Sequence, residues 1–491
     1  YHVERQVMAS HNRAAQVESS AAGRRSLGAP FRWRPEGALT EMLMILPSQR
    51  LGEITDPLDL GLGRGGETPA TSVLAAAELK VREELSSLGI PKASGRIDRV
   101  WYVVAMLRMQ ERAMPGSVAE LLKPDALGDD EELGAWKRIS TRLLAYLTED
   151  PEGAAPNDLA KVLAAVGIGA PGICAFRALT RVLGDSSGSE IALASLQVGN
   201  AMRLMFDLPE SVAVVKSFSR RSAHWRDTLH YCVNGNLQSV LDEYVHVLKD
   251  WVGSNRDDGK LGAVRDTAVE AIGIKAASLG TREISSDGRI SANAMSLRTR
   301  FALRLDAGTT DDLAGVQRVD TVRKAFNSPF WPFVLATTSV GQEGLDFHLY
   351  CHALVHWNLP HNPVDLEQRE GRVHRFKNHA VRRNLASELG TKTVGGDGDP
   401  WAELFAAAGE SDGGLSPYWV YKGENKIERH VPCEPLSVDQ QKLGNLLKLL
   451  GIYRLAFGQP RQEELLAALQ LNPELEEQLE DLLIKLTPGR V

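Results

Sequence analysis

Apolar positions recur with helical spacing through the first half of the chain and with strand spacing through part of the second. From about 71 to 252 the reading is mostly helical. Ser72 to Leu85 combines helical apolar spacing with strong helix formers. Asn157 to Val166 opens on a capping residue and stops near Gly167. Asn236 to Trp251 carries Leu237, Val240, Leu241, Tyr244, Val245 and Leu248 on one face. Glycine- and aspartate-rich breaks at 127–130, 151–156 and 184–189 separate these helices, and no fixed-period repeat is present.

The pattern changes at the loop-like run 253–260. Beyond it, Arg300 to Leu305 reads as a strand, Val319 to Phe326 as a helix, and Phe333 to Thr337 and Ala353 to Trp357 as strands. A helix follows from about Val364. Such alternation implies parallel βαβ units. After a loop at 395–414, Lys426 to Val431 is strand-like, and helices are expected at about 437–457 and 460–485. The expected domains are an irregular segment (1–70), a helical domain or insertion (71–255), an α/β domain (256–395) and a mostly helical extension (396–491).

Two motifs in the α/β part carry chemistry. The apolar strand ends in Thr337-Thr338-Ser339-Val340-Gly341-Gln342-Glu343-Gly344-Leu345-Asp346. At the carboxyl end of a parallel strand, threonine hydroxyls and backbone N–H groups can meet a phosphate. Gly344 lets the backbone approach closely, and Asp346 suits a ribose hydroxyl or a neighbouring arginine. The second motif is Gln368-Arg369-Glu370-Gly371-Arg372-Val373-His374-Arg375. Read as the opening of a helix, its three-residue spacing puts Arg369, Arg372 and Arg375 along one side.

Together the two blocks resemble motifs V and VI of superfamily 2 helicases and translocases, closest to the Swi/Snf type. The resemblance covers about 300–385, and His356 to Pro363 matches the strand and loop that deliver motif VI. It implies an α/β RecA-like parallel-sheet domain, the helicase C-terminal domain, flanked by a large mainly α-helical N-terminal region and a helical C-terminal extension. It also implies that Arg372 and Arg375 are catalytic arginine fingers toward an ATP held by another domain. Gly344, Asp346, Gln368 and Arg369 then belong to the ATP-binding cleft. Thr337 and Thr338 would contact the nucleic-acid backbone. The cofactor implied is ATP with Mg2+, bound mainly by a first RecA-like domain outside this chain, upstream or in trans. The nucleic acid implied is DNA, duplex first, with RNA left open. Two departures from the family pattern stand out. The strand that opens the second RecA-like domain has only Ala268 to Gly273 as a poor match, and Phe376-Lys377-Asn378 stands where the family continues into Gly-Gln.

A basic cluster follows motif VI, in which Lys377, Arg382 and Arg383 suit phosphates without base specificity, and a charged surface helix explains it equally well. Phe326, Phe330, Trp331 and Phe333 crowd just before motif V and read as core packing rather than base stacking. The run Leu446 to Tyr453 reads as helix–helix core.

Two look-alikes are set aside. Gly61 to Thr68 has phosphate-loop spacing, but Glu67 stands where a lysine must neutralise phosphate, and no apolar strand precedes it. Leu241-Asp242-Glu243-Tyr244 resembles a magnesium-binding Asp-Glu box, but it lies in an amphipathic helix and reads as surface charge. With no phosphate-loop lysine and no Asp-Glu box, the chain by itself is expected not to hydrolyse ATP. Because it opens on Tyr1 rather than Met, a preceding portion is expected, which is where a first motor domain would lie.

Composition changes the picture little. At 491 residues the prior is two to four domains. A net charge of −7 means that any nucleic-acid contact must be a local patch. Cys174, Cys232, Cys351 and Cys433 are far apart and lack zinc-site spacing, so no metal site and a cytoplasmic setting are expected. No run of about 18 apolar residues predicts a membrane span. The helical region 71–255 is a candidate surface for a protein partner, and a general likeness to bacterial DNA-processing or anti-phage proteins belongs to the same resemblance. The alternative reading is a non-catalytic nucleic-acid-binding or scaffold protein with a degenerate motor domain.

Overall fold

The computed structural model describes residues 38–61, 68–90, 96–127, 133–184, 186–218, 223–253, 259–273, 277–284, 290–299, 320–336, 346–393, 398–410, 414–433 and 438–456. The expected strand 300–305, the helix 460–485, Thr337, Thr338, Gly344 and most of the Gly61–Thr68 segment lie outside these residues. Two compact units emerge. One draws on Tyr1–Leu303, Asp320–Phe333 and Leu389–Ala407, the other on Arg304–Val319, Val334–Glu388 and Ala408–Val491.

The first unit is helical, as the apolar spacing requires. Its main helices are α1 (Ala70–Ser86), α2 (Leu159–Gly169), α3 (Pro171–Leu183), α4 (Gly188–Phe206), α5 (Leu237–Trp251) and α6 (Lys260–Ile272). Local chemistry sets several of the boundaries. Pro171 begins α3 at a position whose N–H has no helical partner anyway. Ser187 and Glu190 form a reciprocal capping box on α4. Asn236, in the left-handed region at φ 50°, caps α5 by accepting from Ser239 N. Trp101, Tyr102, Met106, Trp136 and Leu163 are fully or almost fully buried in this core. Where α3 and α4 cross, a Cβ on Gly172 would sit 2.1 Å from the Ile45 carbonyl oxygen, so only glycine permits that approach.

Asp242 differs from the surface position expected of it. It is 3% exposed, because α5 is covered by α3 and α6 on more faces than its apolar stripe suggested. Burial is compensated by charge. Arg181 bridges Asp242 at 2.6 Å and Asp56 at 2.6 Å. The neighbouring Arg177 donates to Gly52 O, Gln238 Oε1 and Thr55 Oγ1, each at 2.9 Å. Residues 53–59 fall across the short helices Gln49–Ile54 and Pro57–Gly61, so no strand leads toward the phosphate-loop look-alike. Among the described residues no single helix is long and apolar enough to cross a membrane. The bent pair α2–α3 passes by composition only when taken together, and both helices are largely buried in the core.

Phe330 is buried against Tyr244, ring centroids 6.0 Å apart and nearly perpendicular, and with Trp331 and Phe333 it lines an apolar cavity of about 80 Å3. These aromatics therefore pack, as expected. Residues 333–336 form no strand. A strand pair that the apolar pattern did not announce is also present. β1 (Ala277–Ile284) and β2 (Ile290–Thr299) pair antiparallel, from Ala277 opposite Thr299 to Ile284 opposite Ile290. The connection between them is too short for a parallel crossover. Ala268 to Gly273 is the end of helix α6 and not a strand.

In the second unit the described residues form one small parallel sheet, not the larger sheet expected. β3 (Ala353–Val355) pairs with β4 (Glu428–His430). Between and after these strands run α7 (Pro363–Gly371), α8 (His379–Thr393) and α9 (Asp439–Ala456). Leu359 and Leu366 pack on Leu446 and Leu450, so the C-terminal leucine run is a helix–helix core. The chain is thus mostly helical, with helical regions on both sides of a small parallel β/α element.

Candidate functional site

The arginine-rich motif closes a helix instead of opening one. Asn362 caps α7 by accepting from Asp365 N at 2.8 Å, and Pro363 occupies the first turn. With its start fixed there, α7 ends at Gly371. Arg369 is in its last turn, Arg372 is the cap, and Arg375 lies beyond in irregular backbone. The three arginines therefore do not share one helical side. Arg369 donates to Asn358 O at 2.9 Å, and Gln368 is exposed beside it.

What brings the site together is the short stretch that leaves motif V. Residues 346–349 lie along motif VI and the start of α8, joined at four successive points. Asp346 Oδ1 pairs with Arg375 Nε at 3.2 Å, both side chains nearly half exposed. Phe347 N donates to Arg372 O at 3.2 Å, and His379 N to His348 O at 3.3 Å. Arg382 Nη2 donates to Leu349 O. Asp346, Arg372 and Arg375, three of the residues expected to act on nucleotide, are thereby held in one piece of backbone.

Arg382 is not the surface phosphate ligand expected of it. It is 0% exposed. Its guanidinium also donates to Lys377 O at 2.6 Å and lies 5.2 Å from the Tyr350 ring centroid. The reason is helical phase, since the first turn of α8 faces inward at Ala380, Val381, Arg382 and Leu385. Arg383, one residue on, is only half-buried. Lys377 is half-buried, with its backbone at φ 50° and its N–H donated to Tyr418 O at 2.7 Å.

Two residues that the motifs did not single out hold this geometry. Glu370 is 3% exposed, and its carboxylate takes Arg429 Nη2 at 2.7 Å as well as Arg429 Nε, while His356 Nε2 lies 3.4 Å away. Burial alone would raise its pKa. The approach of His356, and the hydrogen bonds and charge of Arg429, outweigh that and hold it at about 2. Since Arg429 is on β4 and His356 N donates to His430 O at 2.8 Å, Glu370 fastens the end of α7 to the sheet. His348 is the second such residue. Burial, followed by the positive charges of Arg382 and Arg375 and against the pull of Asp346, lowers its pKa to about 4. The role of Glu370 was not legible from spacing, because its partners His356 and Arg429 lie on other elements.

Among the described residues no three His, Cys, Asp or Glu side chains converge as a metal-ligand set. The side chains that fit a nucleotide are cationic. Arg375 is half exposed and, among the described residues, meets one carboxylate, which it can exchange for a phosphate oxygen.

Residues 307–377 match the family model described as Helicase conserved C-terminal domain. The match takes in both motifs and ends at Lys377, well under half of the chain. It supports a helicase C-terminal domain in this segment, the RecA-like fold such a domain implies, and a helicase-like function related to nucleic acid. No curated protein and no solved structure matches the chain.

Proposed function

We propose that this chain supplies the second motor domain of an ATP-dependent DNA translocase or helicase of superfamily 2, of the Swi/Snf type. The observation that carries the reading is the four-point join between residues 346–349 and the Arg372–Arg382 segment. A motor must transmit the state of a nucleotide to a nucleic-acid track, and the backbone that leaves motif V at Asp346 is hydrogen-bonded directly to motif VI.

ATP with Mg2+ would be gripped mainly by a first RecA-like domain and would supply the phosphoryl chemistry. Arg375, moving from Asp346 to phosphate, and Arg372 would neutralise the charge that develops there. Gly344, Gln368 and Arg369 belong to the same cleft in this reading. Thr337 and Thr338, with Lys377 and Arg383, would hold the DNA backbone, duplex by preference, and cleft closure would step them along it. A cytoplasmic setting is part of the proposal.

The test is DNA-stimulated ATP turnover of the full-length protein carrying Arg372→Ala or Arg375→Ala. A fall of about 10³-fold in each is expected. Unchanged turnover in both would remove the finger assignment, and no DNA-stimulated turnover in the wild type would leave the non-catalytic scaffold reading in its place.

A further inference from the structure

Immediately after motif VI the second unit exposes aromatic rings side by side. Phe376 and Trp419 are 38% and 42% exposed, and Tyr418 on the other side of Phe376 is half-buried. Phe376 stacks on Tyr418 with ring centroids 5.5 Å apart and planes 16° from parallel. Trp419 meets the same Phe376 edge-on at 6.1 Å. Leu415 and Val420 are exposed in the same loop. Apolar rings left together in water, where single exposed residues are ordinary, mark a surface with an occupant.

The loop that presents them is pinned rather than loose. Lys377 N donates to Tyr418 O at 2.7 Å, and Trp419 N to Leu415 O at 2.7 Å. Farther along, Asn384, buried on α8, donates to Tyr421 O at 3.1 Å and Asn425 O at 3.0 Å, and accepts from Asn425 N at 2.9 Å. Gly423 closes the turn so tightly that a Cβ there would lie 2.3 Å from Asn384 Cγ. A surface held this way loses little conformational entropy on binding.

The chemistry around the rings selects the occupant. Lys377 Nζ lies 5.4 Å from the Phe376 ring centroid, Arg375 precedes it, and Lys422 is exposed on the pinned loop. Tyr421 does not belong to the group, because its hydroxyl donates to Glu388 at 3.0 Å. An apolar protein segment would match the rings but offer no anion to the lysines beside them. Duplex DNA would match the cations, but its base faces are already stacked. Unpaired nucleotides match both, with π-faces for the rings and phosphates for the lysines.

We propose that Phe376, Tyr418 and Trp419 form a stacking platform for unpaired bases of a single-stranded nucleic acid, with Lys377 meeting the adjoining phosphate. The proposal rests on the helicase-like reading and deepens it, placing a single-strand site at the exit of motif VI.

The test is fluorescence anisotropy of labelled oligothymidylate and of a blunt DNA hairpin with the full chain, over a salt series. Far-UV circular dichroism confirms that each variant is folded. Trp419→Ala and Phe376→Ala should each weaken oligothymidylate binding about ten- to a hundred-fold. Hairpin affinity should not change, and Trp419→Tyr should recover most of the loss. Equal oligothymidylate affinity in wild type and Trp419→Ala overturns the platform, as does an equal loss on both probes. If the wild type binds the hairpin and not the single strand, the platform falls and the helicase-like reading stands. If it binds neither at low salt, both fall. If Trp419→Ala changes self-association in sedimentation while oligothymidylate binding is unchanged, the face is a protein interface and the proposal is wrong.

Discussion

Asp346 holds Arg375 through one 3.2 Å contact, with both side chains nearly half exposed. The geometry is that of a parked cation. A buried bidentate pair would resist release, whereas an exposed single contact is worth about 1 kcal/mol or less and yields readily to a phosphate. In contrast, the backbone on either side is firmly tied, Phe347 N to Arg372 O.

This distinction predicts unequal effects at the two ends of the pair. In the full-length protein, Arg375→Ala should lower DNA-stimulated kcat by about 10³-fold. Asp346→Ala should lower it about ten-fold, since it misplaces the arginine without removing it. The double variant should be no worse than Arg375→Ala alone, because the two residues act as a unit. Additive losses would show that Asp346 acts independently of Arg375.

Glu370 should dominate the acid limb of stability in the second unit. Its folded carboxyl lies at about 2 against an ordinary 4.5. A depressed carboxyl contributes its stability above the ordinary value and loses it as pH falls toward the folded value, so the window is about pH 4.5 to 2. The shift corresponds to a contribution on the order of 3 kcal/mol. Urea denaturation at pH 7 and pH 3 checks this. Glu370→Gln should be less stable at pH 7 and should show a much smaller drop on acidification than wild type.

Adjacent arginines should separate structure from binding. Arg382→Gln removes donors to Leu349 O and Lys377 O from a fully buried position and should cost about 2–4 kcal/mol in denaturant unfolding. Arg383→Gln, at a half-buried position, should cost less than about 1 kcal/mol and should instead weaken DNA binding and lower its salt dependence. The reverse assignment of these two effects would refute the burial argument.

In the helical unit, Asp242→Ala leaves Arg181 with Asp56 alone and should destabilise by about 3–5 kcal/mol. Glu243→Ala, one position on and half-buried, should change stability by less than about 1 kcal/mol. Thermal unfolding of the two variants separates a buried ion pair from solvated surface charge.

The helical region, the helix near Val364, the strands at Ala353 and Glu428 and the leucine core of the last described helix could all be read along the chain, whereas the cap expected at Asn157 falls instead at Asp158, which makes no side-chain cap bond. Each depends on neighbours within a turn or two. The paired motifs were also legible, because their chemistry resides in residue type and order, and the family match over 307–377 falls on the same stretch. Tertiary structure alone decided which of those residues face water and which meet. Arg382 and Arg383 are chemically equivalent in the sequence, and helical phase against Leu349 and Tyr350 buries only the first. Asp242 reads as surface charge until Arg181 and Asp56 are placed beside it. Glu370 is one acid among many until Arg429, far along the chain, closes on it. Burial and pairing depend on contacts between residues distant in sequence, and no local pattern encodes them.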